Sequence, residues 1–321
     1  MKKVLGIIAV VVLVLAGIVT WFFGPVLGAG LLGRPIFVVA TPQRYAHFAF
    51  DVAQMQGLYA DSEEFANVLA EAKEEVKGVD SIEQTHPIIE RVLKAAGGKH
   101  SGVIPPERNT PATTEDTTLP SVSKDGDIVI ATVPGVARGP VAQQYADTLA
   151  KGLADNVAGA CGVIVDLRGN TGGDMGPMLA GVSSLLPDGV VLTFKGRASS
   201  DVTVSGGSVQ GGGSPITVAS QSKFTGPIAV LFDGHTGSSG EATLLSFRGL
   251  DNVRTFGQPS AGYASANTVF DMPDGAGIMV TTAKDVARTG EEFAEDPIEP
   301  DERSDQPEAH ARDWLHQECA K

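Results

Sequence analysis

Two short apolar runs constrain this chain most. Val163 to Leu167 and Pro227 to Phe232 are the kind of series that a strand buried on both faces requires. Each breaks directly into a glycine-rich turn, and each turn leads into a helical pattern. Strand, tight turn and helix in that order build a parallel sheet covered by helices. The surrounding texture agrees. Strands are predicted at Ile128 to Val133, Val190 to Phe194, Val253 to Phe256, Thr268 to Asp271 and Gly277 to Thr282. Helices are predicted at Pro140 to Val157, Gly173 to Leu186, Ser238 to about Gly249 and Pro307 to Glu318. Ser205 to Ser214 is glycine-rich and reads as a mobile hairpin or loop. Pro273-Asp274-Gly275 is a hairpin turn that needs no chemistry.

The N-terminal third has a different pattern. Val4 to Phe23 runs without a charge behind Lys2 and Lys3, long enough to span a bilayer as a helix. The expectation is an uncleaved anchor over residues 1–33, with a cytoplasmic N-terminus and the remainder outside the cell. The competing reading is a secreted chain, cleaved at the poor A-x-A-like site Gly28-Ala29-Gly30. Amphipathic helices follow at Thr41 to Gly57, at Asp61 to Lys77 behind an Asp61/Glu64 capping box, and at Asp80 to Ala96, interrupted early by Pro87. The expected organisation is a helical subdomain at 34–107, a Thr/Pro/Ser-rich linker at 108–126 and an α/β core at 127–321. Oligomeric state is not legible.

Composition excludes several classes. The 321 residues carry 38 acidic and 24 basic side chains, a net charge of −14. This opposes nucleic-acid binding and docking on anionic lipid through a basic surface. The two cysteines are too few for a disulfide scaffold or a zinc cage, and no metal or organic cofactor is expected. Cys161 is by default an inert buried thiol; export would let it pair with Cys319.

Chemistry concentrates in the two turns. Asp166-Leu167-Arg168-Gly169-Asn170-Thr171-Gly172-Gly173 opens a helix with outward-facing N–H groups, a way to hold a negative oxygen. Asp233-Gly234-His235-Thr236-Gly237-Ser238-Ser239-Gly240-Glu241 places a serine at a helix start. That serine is either a cap or a nucleophile whose developing anion the helix favours. The spacing is not G-x-S-x-G, so it is no ordinary nucleophile elbow. Neither turn has the lysine-bearing pattern of a phosphate cradle. Arg168 and Asp166 read as a salt bridge tying the loop, and Asp233 and Glu241 as loop and helix-start acids.

D-L-R-G-N-T-G-G followed by T-G-S-S-G-E resembles the C-terminal-processing and tricorn-core serine peptidases. Supporting stretches are Gly97-Gly98-Lys99-His100-Ser101, Phe256-Gly257-Gln258-Pro259-Ser260-Ala261-Gly262 and Glu299-Pro300-Asp301. The resemblance implies a crotonase-like/ClpP-like core and peptide-bond hydrolysis through an acyl-enzyme. It implies Ser238 as nucleophile, with the N–H of Ser239 and of Gly172 or Gly173 as oxyanion donors. Processing proteases use a lysine base, absent here, where the matching stretch is Ser260-Ala261-Gly262-Tyr263-Ala264. The tricorn-like branch uses a histidine, which matches His100; Ser101 would orient it, and the completing acid would be Glu295. No PDZ domain fits between His100 and Asp127. A histidine can take the serine proton and return it to the leaving amine. His235 shares the serine's own turn and is badly placed to reach Oγ, and His47, His86, His310 and His316 read as packed or solvated. The expectation is a membrane-tethered, extracytoplasmic serine peptidase acting on a peptide or protein. A silent peptide- or apolar-ligand-binding relative and an esterase or amidase are the alternatives.

Overall fold

The computed structural model describes residues 2–109 and 117–321, with residues 2–15 described by backbone alone. Helix α1 (Lys2–Leu32) is continuous. The expected membrane span begins within it, on residues whose side chains lie outside the description. Among the described residues, no helix is long and apolar enough to cross a membrane. Helix α2 (Pro42–Gln56) starts where Thr41 Oγ1 accepts the Arg44 N–H, with Pro42 preset for the first turn. Helix α3 (Glu63–Glu75) is capped by Ser62, which accepts the Phe65 N–H, one residue beyond the expected Asp61 box. Helix α4 (Ile82–Gly97) runs through Pro87 without the expected break. Pro87 lies only in its second turn, so few backbone hydrogen bonds precede it. Gly98, at φ 78°, ends the helix in a conformation that suits glycine. Strand β1 (Gly102–Ile104) follows.

The chain then alternates. Strands β2 (Ser121–Asp125) and β3 (Ile128–Thr132) precede α5 (Ala142–Asn156), β4 (Gly162–Asp166) and α6 (Met175–Gly181). Next come β5 (Gly189–Gly196), β6 (Ser199–Ser205), β7 (Ser208–Gln210), β8 (Ile216–Thr217), β9 (Ile228–Phe232) and α7 (Ser239–Phe247). The last elements are β10 (Val253–Gly257), β11 (Ser265–Asp271), β12 (Gly277–Ala287), β13 (Glu292–Phe293), β14 (Glu302–Arg303) and α8 (Pro307–Cys319). Strand β2 replaces the end of the expected linker, whose residues 110–116 lie outside the description.

The chain forms two compact units, Met1–Thr110 with Asn267–Thr282, and Pro111–Ala266 with Ala283–Lys321. Sequence grouped Asn267–Thr282 with the core, whereas it belongs to the N-terminal unit. There Phe270, Met272, Ala276, Ile278 and Val280 pack with Tyr45, Phe50, Ile89 and Leu93 in one core. Alternation along a hairpin supplies the apolar face that α2 and α4 need to cover.

In the second unit a six-stranded sheet runs β14-β10-β9-β4-β3-β2. Its pairs are parallel except for the edge strand β2. Val163, Val165, Val230 and Phe232 face a core shared with α5, α6 and α7. Ile164, Ala229 and Leu231 face the other side, against Ala311 and Leu315 of α8. Both faces are covered, so each large aliphatic there contributes about 1.5–3 kcal/mol by leaving water. Strands β5 to β8 form an antiparallel ladder, which Ala283–Ala287 joins at β5. Cys161 and Cys319 are disulfide-bonded with Cα atoms 5.7 Å apart, joining the entrance of β4 to the end of α8. The architecture is a mixed α/β fold.

Candidate active site

Parallel strands β4 and β9 are neighbours in register, Val163 opposite Ile228, so both glycine-rich turns leave the same end of the sheet. Backbone and short side chains stitch them together. Asp233 Oδ1 accepts the N–H groups of Gly169, His235 and Thr236 at 3.1, 2.9 and 3.1 Å. Thr236 Oγ1 donates to the Leu167 carbonyl, and the Gly237 N–H donates to that of Asn170. Asp233 is thus the hub of the turn. Arg168 pairs with Asp166 at 2.6 Å and reaches Glu308, which is the plain salt bridge expected of it.

Ser238 stands at the junction of this turn with α7, at φ 53° and ψ −121°. It is the only non-glycine with positive φ among the described residues. Such a backbone costs on the order of 1–3 kcal/mol and persists only where the surroundings impose it. Glu241 imposes it here. Its fully buried carboxylate accepts the N–H groups of Ser238, Gly262 and Tyr263 at 2.9, 2.8 and 2.7 Å, and the Ser260 hydroxyl at 2.5 Å. Burial pushes the Glu241 carboxyl up from its ordinary range, while these four donors pull it down. The helix-start acid of the sequence reading therefore fixes the serine and the Ser260–Tyr263 loop at once.

The glycines of the first turn lie against Ser238. A Cβ at Gly172 would fall 2.8 Å from Ser238 Cβ and 3.0 Å from Ser239 N. The Gly172 N–H is occupied by the Asn170 side chain at 2.9 Å. Of the two expected glycine donors, this leaves the N–H of Gly173. The Ser239 N–H lies in the first turn of α7, where no intrahelical acceptor exists. Ser239 Oγ donates to the Gly173 carbonyl at 2.8 Å, tying the two segments.

His100 and Ser101 lie in the N-terminal unit, on the loop after α4. The amide nitrogen of Asn267 is 3.0 Å from His100 Nε2 and 3.1 Å from Nδ1. The Thr281 hydroxyl donates to Asn267 Oδ1 at 2.7 Å, and Ser101 donates to Thr281 Oγ1 at 3.2 Å. The hydrogen bonds run from Ser101 to Thr281 to Asn267, whose amide N–H donates to the imidazole, so Ser101 meets His100 through two intermediaries. Burial, and then the charge of Lys99, lower the His100 imidazole to about 4. Glu295 is half-buried in the second unit, past β13.

Sequence reasoning missed Asn267 and Thr281, which belong to no motif. Hairpin counting would have found them. Met272 bonds across the turn to Ala276, and the same count outward from Asp274 pairs position 267 with 281. The chain matches the Peptidase family S41 model over residues 128–304. The chain belongs to peptidase family S41. It is 35% identical over 318 residues to the nisin-resistance protein of Lactococcus lactis subsp. lactis, covering 98% of this chain and 97% of that one. The solved structure of a lipoprotein from Streptococcus agalactiae aligns with a TM-score of 0.77 at 26% identity, covering 88% of this chain and 99% of that chain. The photosystem II D1 C-terminal processing protease aligns with a TM-score of 0.55 at 14% identity, over 84% of this chain and 94% of its own, and shares the fold.

Proposed function

We propose that this S41 member is an active serine peptidase of the histidine branch, without a PDZ domain and with a crotonase-like/ClpP-like core. The observation that carries the reading is the forced positive φ of Ser238 on a strand-to-helix turn beside Gly172 and Gly173. A mere helix cap needs no such strain. In this reading Ser238 Oγ attacks the substrate carbonyl carbon and His100 accepts its proton. The Ser239 and Gly173 N–H groups hold the resulting oxyanion. His100 then protonates the leaving amine as the C–N bond breaks, and water hydrolyses the acyl-enzyme. Asn267 packs its amide against the imidazole and donates to a ring nitrogen, which holds the ring in place. Ser101 supports it through Thr281, and Glu295 retains the role of completing acid that the resemblance gives it.

The reading includes an N-terminal membrane tether with the two units outside the cell. Val4 to Phe23 supports it, as do the exposed Phe22, Phe23, Leu27 and Leu31 of α1 and the disulfide, a bond of oxidising compartments. The name of the Lactococcus lactis relative makes nisin the first substrate to test. Purified protein is incubated with nisin and, separately, with casein, and products are weighed by mass spectrometry. Peptidase action gives fragments whose masses sum to the parent plus one water for each bond cleaved, absent with Ser238→Ala. Both substrates left intact, with Ser238 still reactive toward short esters, would favour an esterase instead.

A further inference from the structure

The glycine-rich Gly211–Ser214 segment is a packed strap against the oxyanion side of the site. Gly211 and Gly213 have φ of 86° and 66°. A Cβ at Gly211 would strike the Asp201 carbonyl, one at Gly212 the Met175 side chain and one at Gly213 the Asp174 carboxylate. A Cβ at Gly176 would strike the Ser214 carbonyl. Gly176 and Gly213 meet the opposing backbone directly, at the Ser214 carbonyl and the Gly176 N–H, so the two segments are pressed together where only glycine fits.

The tie between them is Asp174, the residue after Gly173. Its Oδ1 accepts the Ser214 N–H at 2.8 Å and the Gly176 N–H at 3.2 Å. Its own N–H donates to the Val136 carbonyl at 2.6 Å, and Gly173 forms a parallel bridge with Val136. Asp174 is 1% exposed, and its Oδ2 has no hydrogen-bond partner among the described residues. A half-satisfied buried carboxyl is a poor stabilising device. Its geometric consequence is that the Gly173 peptide is clamped between Val136 on one side and the strap on the other.

We infer that Asp174, held by the Gly211–Ser214 strap, is a positioning residue that aims the Gly173 N–H at the oxyanion formed on Ser238. This rests on the peptidase reading above. The test uses the full chain and a fluorophosphonate probe, whose reaction with a serine develops charge on oxygen in the same place. The maximal rate of inactivation is separated from the probe's half-saturation concentration. Asp174→Ala should lower the maximal rate by about 10²-fold, the usual effect of losing one oxyanion donor, with half-saturation within threefold. Asp174→Asn retains the Oδ1 acceptor and should restore the rate to within threefold of wild type. Gly213→Ala, which displaces the strap, should reproduce the rate loss even if Asp174→Ala fails to melt cooperatively. An unchanged rate in a folded Asp174→Ala or Gly213→Ala, a defect only in half-saturation, or Asp174→Asn as slow as Asp174→Ala would each overturn the inference. Wild-type protein that never labels would instead remove the peptidase reading, and this inference with it.

Discussion

The Glu241 carboxylate holds the Ser238 N–H at 2.9 Å while it also binds Ser260, Gly262 and Tyr263. One buried acid thereby fixes the left-handed serine and the loop beside it. Strain at the serine follows from this clamp, and it has a measurable signature.

Ser238→Gly removes both the hydroxyl and the cost of a Cβ at φ 53°. Glycine should therefore stabilise the fold by roughly 1 kcal/mol over Ser238→Ala, which keeps the strained Cβ. Thermal melts of the two variants check this, and both should be inert toward a serine-directed label. Equal melting midpoints would mean the positive φ stores no strain.

The His100 imidazole, lowered to about 4 by burial and then by Lys99, is neutral and able to accept a proton well below pH 6. The rate of serine labelling should stay level from neutral pH downward and fall with a midpoint near 4. The linkage has the same sense. An unfolded histidine binds its proton near pH 6.5 and the folded one does not until about 4, so stability falls as pH drops through that window. A rate midpoint between pH 6 and 7 would contradict His100 as the proposed base.

Asp285, on β12, is wholly buried, with Oδ1 unpartnered among the described residues. Burial and then the charge of Glu241 raise its carboxyl well above the usual range. A raised acid stabilises the fold below its unfolded value, and that contribution is lost as pH rises through the folded one. Asp285→Asn removes the dependence. Its melting midpoint should exceed that of wild type at pH 8, with the gap closing toward pH 4. A gap that widens toward acid would reverse the sign of this assignment.

The Cys161–Cys319 bond closes a loop of sequence separation 158. Loop-entropy arguments give such a bond on the order of 5 kcal/mol, less where the native geometry is tight. Cys161→Ser/Cys319→Ser should melt well below wild type, while wild type treated with reductant should approach the double variant. Coincident melts of all three would show the bond contributes nothing.

The parallel sheet was legible because Val163 to Leu167 and Pro227 to Phe232 are buried on both faces and leave little choice of element. The first glycine-rich turn was legible for a related reason, since only glycine at positions 172 and 173 permits its close approach to Ser238 and Val136. Glu241 looked like a helix-start acid because its partners Ser260, Gly262 and Tyr263 are distant in sequence. Asn267 and Thr281 were hidden because their value lies in cross-strand register, which residue type does not announce. The Ser205–Ser214 stretch was half legible: Ser205–Gln210 is the hairpin turn its composition suggested, whereas Gly211–Gly213 are closely packed, Gly213 against Asp174.

In the proposed mechanism His100 makes Ser238 reactive. The most direct measurement is fluorophosphonate labelling of the intact protein, followed by proteolysis and mass mapping of the modified residue. The account predicts one adduct, on Ser238, abolished in His100→Ala and retained in His235→Ala. Labelling of Ser238 that persists undiminished in His100→Ala would contradict it.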